Sequence, residues 1–150
     1  MTVTDTSPLI ALDRIGRLDL LPSTLGVVIA PPAVVREFGS RPGWLGERPP
    51  SSAAFVRALR ERLDPGESEA IALAAEVGAG AVLLDERRAR HVAAEVGIPT
   101  IGTVGLLLRA KRDGHLDAVR PLLDALDDAD FWVTRTLRAE ALRRAGEGAP

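Results

Sequence analysis

Short runs of Val, Ile and Leu alternate along the chain with stretches whose apolar positions recur at helical spacing. Thr2–Asp5 reads as a first strand, and Ser7-Pro8 as the start of a helix to about residue 15. "RLDLLPSTL" makes a short helical or turn segment. "VVIA" (27–30) is a β-branched strand stopped by Pro31-Pro32, and "PAVVREF" a helix. Residues 39–52, rich in Gly, Pro and Ser, read as a long loop. "AAFVRALRERL" and "DPGESEAIALAAEVG" are helical, the second closed by Gly78. "AVLLD" (81–85) is a strand followed by the helix "RRARHVAAEVG", and "PTI" (99–101) a strand followed by "TVGLLLRAKRDG". "DAVRPLLDALDDA" and "TRTLRAEALRRAG" are helices flanking "FWV", an edge strand at best.

Strands with continuous apolar runs alternating with helices predict an α/β three-layer sandwich. Its central parallel sheet has about four to five short strands, covered on both faces. The 150 residues fit one domain over 1–146, with 147–150 as a frayed end. The chain has no cysteine, which excludes disulfides, thiolate catalysis and zinc–cysteine sites. No apolar run approaches the roughly 18 residues of a membrane span. The Thr-rich start lacks the charged region of a signal peptide, so a soluble cytoplasmic protein is the expectation.

In an open parallel sheet, ligands bind beyond the carboxyl ends of the strands. Asp5 and Asp85 each stand at that end of a strand. Two further carboxylates follow from helical geometry at about 100° per residue. Glu37 flanks the apolar face of its helix, and Glu67 begins the buried face of the next acidic helix, whereas Glu69 and Glu76 point outward. Each acid also has a structural reading. Asp5 is a turn residue, Asp85 a helix cap, Glu37 half of a border ion pair, and Glu67 part of a capping box with Asp64. Four carboxylates converging on one end of one sheet favour a shared role. Oxygen ligands without His or Cys suit a hard cation, Mg²⁺ or Mn²⁺. Such an ion bridges phosphate oxygens and acidifies a water, the equipment of a phosphodiesterase. The formal net charge of −2 is no obstacle, because gathering four acids into one pocket leaves the remaining surface net positive.

"VTDTSPLIAL", "VVIAPPAVVREF", "LDPGESEAIALAAEVGAGAVLLDERRAR" and "IPTIGTVGLLLRAKRDGHL" resemble the PIN-domain ribonucleases, closest to the VapC-like toxins and their DUF3368 relatives. The likeness runs from residue 2 to about 124. It implies Asp5, Glu37, Glu67 and Asp85 as catalytic and metal-holding acids, with Glu69 the competitor for the third place. It implies Thr6 or Ser7 as the hydroxyl that steadies the first acid. The expected activity is Mg²⁺-dependent cleavage of single-stranded RNA by the toxin of a toxin–antitoxin pair. The expected partners are RNA, a small antitoxin protein and a second copy of the chain.

Arg87 and Arg88, just after Asp85, are candidates for holding RNA phosphates or form a solvated helix face. Trp44 either stacks on a base or, as its loop context favours, packs on the protein. His91 and His115 have no partner at ligand spacing and read as surface residues, and Thr103 reads as a helix cap. The competing readings are a PIN-like module that binds RNA or protein without cutting, and a phosphatase of haloacid-dehalogenase or receiver type. The second needs a further Asp two residues after the first, where this chain has Ser7, or a strand-end Lys, whereas Lys111 lies within a helix.

Overall fold

The computed structural model describes residues 1–148. Strands β1 (Thr2–Thr4), β2 (Val28–Ala30), β3 (Leu45–Glu47), β4 (Ala81–Leu83) and β5 (Thr100–Ile101) form one sheet in the order β3-β2-β1-β4-β5. Every pairing is parallel, with Val3 beside Ile29 on one side and Val82 on the other. Side chains alternate between the two faces of a strand. Val28, Ala30 and Leu83 therefore enter one apolar core, while Val3, Ile29 and Val82 enter the other.

Helices α1 (Thr6–Arg14), α2 (Leu20–Leu25), α3 (Pro32–Phe38), α7 (Thr103–Arg112), α8 (Arg120–Asp128) and α9 (Arg135–Arg144) bury their apolar residues in the first core. Helices α4 (Ala53–Arg60), α5 (Pro65–Val77) and α6 (Arg87–Glu95) cover the opposite face. The chain winds outward from β1 through β2 to β3, then returns through α4 and α5 to place β4 on the other side of β1. At β1 and β4 the following helices, α1 and α6, depart to opposite faces. That divergence opens a crevice at the carboxyl ends of the two central strands, the switch point of an open α/β sheet.

Several local expectations change. The loop over 39–52 contains β3, whose Leu45 is fully buried. Gly46 hides it in the sequence, yet a Cβ there would lie 3.0 Å from Ile29 Cγ2, so close strand packing requires the glycine. "FWV" forms no strand: Phe131 and Val133 pack on the core, and Trp132 points outward. Helix α1 begins at Thr6 with Asp5, not Ser7, as its N-cap. Glu147, expected within a frayed end, accepts hydrogen bonds from Lys111 Nζ at 2.9 Å and from the Val119 N–H at 2.8 Å. The last two residues of that end, 149–150, lie outside the described residues.

Candidate active site at the carboxyl end of the sheet

Asp5 emerges from β1, its backbone N–H bonded to the Leu83 carbonyl at 3.0 Å. This last rung of the β1–β4 ladder fixes where the carboxylate can go. As N-cap, Asp5 would ordinarily turn its side chain onto the first-turn N–H groups of α1. It makes no such capping bond, although it is only 5% exposed, and the N–H of the adjacent Thr6 is the backbone donor that favours its ionised form.

What surrounds it is set by α5. Pro65 and Gly66 open that helix, and Gly66 is buried. A Cβ at Gly66 would lie 3.2 Å from Asp5 Oδ1, 3.3 Å from Glu37 Oε2 and 3.4 Å from Thr6 Oγ1. Two carboxylates and a hydroxyl thus converge on a spot that a methyl group would crowd. Thr6 is buried and donates to Glu37 Oε2 at 3.2 Å. Of the two hydroxyls expected to steady the first acid, Thr6 bonds the second instead. Ser7 is exposed and lines a cavity shared with Asp85.

Glu67 is buried and completes the capping box: its N–H donates to Asp64 Oδ1 at 2.7 Å, and its Oε1 accepts from the Asp64 N–H at 3.2 Å. Structural and electrostatic roles coexist there. Burial pushes the Glu67 carboxyl above its ordinary range against the Asp64 N–H, and the charges of Asp64, Glu86 and Glu37 push the same way. Glu69 does not point freely outward. It accepts from the Ala33 N–H at 3.2 Å and so caps the start of α3. Glu76 likewise anchors the loop before α4 by accepting from the Ser51 N–H and hydroxyl.

Asp5 feels all of this. Burial, opposed by the Thr6 N–H and reinforced by the charges of Asp64, Glu67 and Glu37, pushes its carboxyl from 3.8 up to about 7. Asp64 and Glu86 were not among the expected site acids. Both are N-caps, and capping is the only signal they carry in the sequence.

Asp85 stands at the end of the neighbouring strand, tied to a different element. Its Oδ1 accepts from the Thr103 N–H and its Oδ2 from the Thr103 hydroxyl, each at 2.7 Å. It therefore caps α7, while Glu86 caps α6. Thr103 is the first residue of α7 rather than its cap. Burial raises the Asp85 carboxyl, and the two Thr103 donors and nearby Arg90 hold it partly down. Arg87 is exposed and lines the cavity beside Asp85, whereas exposed Arg88 does not. His91 is exposed and meets Glu95, and His115 is exposed. Trp44 is half-buried against the core, in agreement with its packing reading.

Among the described residues, no three His, Cys, Asp or Glu side chains are grouped closely enough to enclose a metal ion. The donors that do converge, Asp5, Glu37 and Thr6, are all hard oxygens. Mg²⁺ keeps several of its own waters and is commonly held through one or two carboxylates rather than a full protein cage. The donor set fits such an ion.

No curated protein and no solved structure matches the chain. The family model DUF3368, described as a PIN domain, matches residues 1–147. PIN domains are generally nucleases that use divalent metals, and an all-parallel five-stranded sheet flanked by helices is consistent with their fold. With this match spanning nearly its whole length, the chain belongs to the DUF3368 family of PIN domains.

Proposed function

We propose that the protein is a Mg²⁺- or Mn²⁺-dependent endoribonuclease that cleaves single-stranded RNA, acting in the cytoplasm as the toxin of a toxin–antitoxin pair. The observation that carries the reading is the meeting of Asp5 Oδ1, Glu37 Oε2 and Thr6 Oγ1 over Gly66, at the switch point of the sheet. Asp5 and Glu37 hold the cation, with Glu67 and Asp85 adding negative charge around it. When bound, the ion supplies an acidified water and neutralises phosphate charge. Thr6 orients Glu37 through its hydrogen bond, and Thr103 orients Asp85 through two. Asp5 has no donor of its own beyond the backbone, so its lone pairs are free for a cation. Arg87 and Arg88 attract the RNA backbone. A homodimer and an antitoxin segment over the acidic crevice complete the proposal.

Purified protein is expected to cleave single-stranded RNA with Mg²⁺ or Mn²⁺ and to stop with EDTA. Asp5→Asn and Asp85→Asn should abolish cleavage while leaving the circular dichroism unchanged. Undiminished cleavage by either variant refutes its assignment. The second reading, a PIN-like module that binds RNA or protein without cutting, is favoured by the structural hydrogen bonds that already occupy Glu67 and Asp85. It requires RNA binding with no metal-dependent cleavage.

A further inference from the structure

A second feature lines a separate cavity, which takes in Asp85 and Ser7 but none of the acids that meet over Gly66. Helix α8 ends in a turn at Asp130, whose backbone is left-handed (φ 63°), the one non-glycine described residue with positive φ. The Phe131 N–H closes this turn by donating to the Leu126 carbonyl at 2.9 Å. Three residues later Thr134 caps α9, accepting from the Leu137 N–H at 3.1 Å. The intervening Phe131–Val133 segment is clamped at both ends. Phe131 and Val133 pack on the core. Trp132, between these two packed neighbours, is turned outward.

Trp132 is 81% exposed, the most exposed large apolar side chain among the described residues. It lines a cavity of about 870 Å³ together with Ser7, Asp85, Arg87 and Arg90. Arg87 makes no ion pair among the described residues. Glu140, an acid on the same wall, has its carboxylate occupied by Arg143 and Arg144. A rigid indole face beside free guanidinium charge matches a ligand that is flat and apolar at one end and anionic at the other. A nucleotide has that form, and stacking on an indole tolerates any base.

We propose that Trp132 is a base-stacking platform for single-stranded RNA. The base lies on its indole, and the adjoining phosphate is held by Arg87 on the path toward Asp85. This subsite rests on the reading that the crevice binds RNA, but not on cleavage.

The test is binding of a short fluorescein-labelled single-stranded oligoribonucleotide, followed by anisotropy in EDTA and again with Ca²⁺ in place of Mg²⁺. Wild type, Trp132→Phe and Trp132→Ala are compared, first with the intact strand and then with abasic versions. Trp132→Ala should weaken binding of the intact strand by at least about tenfold, and Trp132→Phe by much less. With an abasic nucleotide at the stacked position, wild type and Trp132→Ala should bind alike. Because the residue is exposed, both variants should melt like wild type.

Unchanged affinity for Trp132→Ala, an equal loss on every abasic strand, or no binding by wild type in either buffer would overturn the proposal. A changed oligomeric state with unchanged RNA affinity would also overturn it and make this face a contact between copies. Base-dependent binding without Mg²⁺-dependent cleavage would leave the platform standing and remove only the nuclease reading. Cleavage without base dependence would do the opposite.

Discussion

Two carboxylates, both little exposed, sit in opposite circumstances. Glu147 closes the C-terminal end: its oxygens accept from Lys111 Nζ and from the Val119 and Arg120 N–H groups, and its carbonyl accepts from Arg120 Nη2. Burial opposes its ionisation, but these donors outweigh burial and hold its carboxyl below the usual range. Asp5 is buried without a donor from any side chain and has three acids around it, so its carboxyl rises to about 7. Glu147 serves the fold. Asp5 is held in a site that disfavours its charge, the circumstance in which functional carboxylates are commonly found.

The largest expected effect is on activity. Asp5→Asn preserves the shape of the side chain but removes its charge, and should reduce RNA cleavage to background. Glu147→Gln should leave the rate of the folded protein unchanged. Equal loss in both variants would mean that Asp5 acts through stability alone.

On stability the two residues should part in sign. Glu147→Ala leaves Lys111 and two backbone donors short of an acceptor, and should cost about 2 kcal/mol in urea unfolding. Asp5→Asn should stabilise the metal-free protein. Folded Asp5 binds its proton more tightly than unfolded Asp5, so wild-type stability falls as pH rises from 3.8 to about 7. The accumulated penalty is on the order of 4 kcal/mol above that window. Glu147 runs the other way: its contribution is present above the ordinary carboxylate value of 4.5 and is lost as pH falls through its lower folded value. Unfolding free energies from pH 2.5 to 8 for wild type and both variants separate the two slopes. A flat difference between wild type and Asp5→Asn would contradict the elevated Asp5 carboxyl.

The sequence makes some of this legible and hides the rest for physical reasons. The strands at β2 and β4 announce themselves by apolar runs and those at β1 and β5 by β-branched residues, and Asp5 and Asp85 follow from standing at strand ends. The capping box over Asp64–Glu67 is local and was readable as such. β3 was not, because its middle residue is a glycine whose purpose lies across the sheet at Ile29. Helical angles placed Glu69 outward but could not show that α3 starts beside it and that its carboxylate caps that helix. The two tryptophans show the limit most plainly. Trp44 and Trp132 both lie outside regular elements next to an apolar residue, and only tertiary packing covers one and exposes the other.

Smaller effects sharpen the geometry. Gly66→Ala introduces a methyl group at the point where Asp5, Glu37 and Thr6 meet, and should lower cleavage about tenfold, comparable to losing an outer partner of a metal site. Full activity would show that the three oxygens do not act together. Glu67→Gln should also reduce the rate about tenfold, while Glu69→Gln should chiefly loosen the start of α3 and leave the rate nearly intact. The reverse order in single-turnover assays would move the third acid to Glu69.

The claim that Asp5 is kept destabilised for a cation is tested most directly by thermal melting of wild type and Asp5→Asn at pH 8, with EDTA and with Mg²⁺. In EDTA the variant should melt several degrees higher, because it lacks the buried charge. Mg²⁺ should raise the wild-type melting temperature more than that of the variant, since binding to the folded state alone adds stability. A variant that melts below wild type in EDTA, with neither protein responding to Mg²⁺, would contradict the metal site and return Asp5 to a purely structural role.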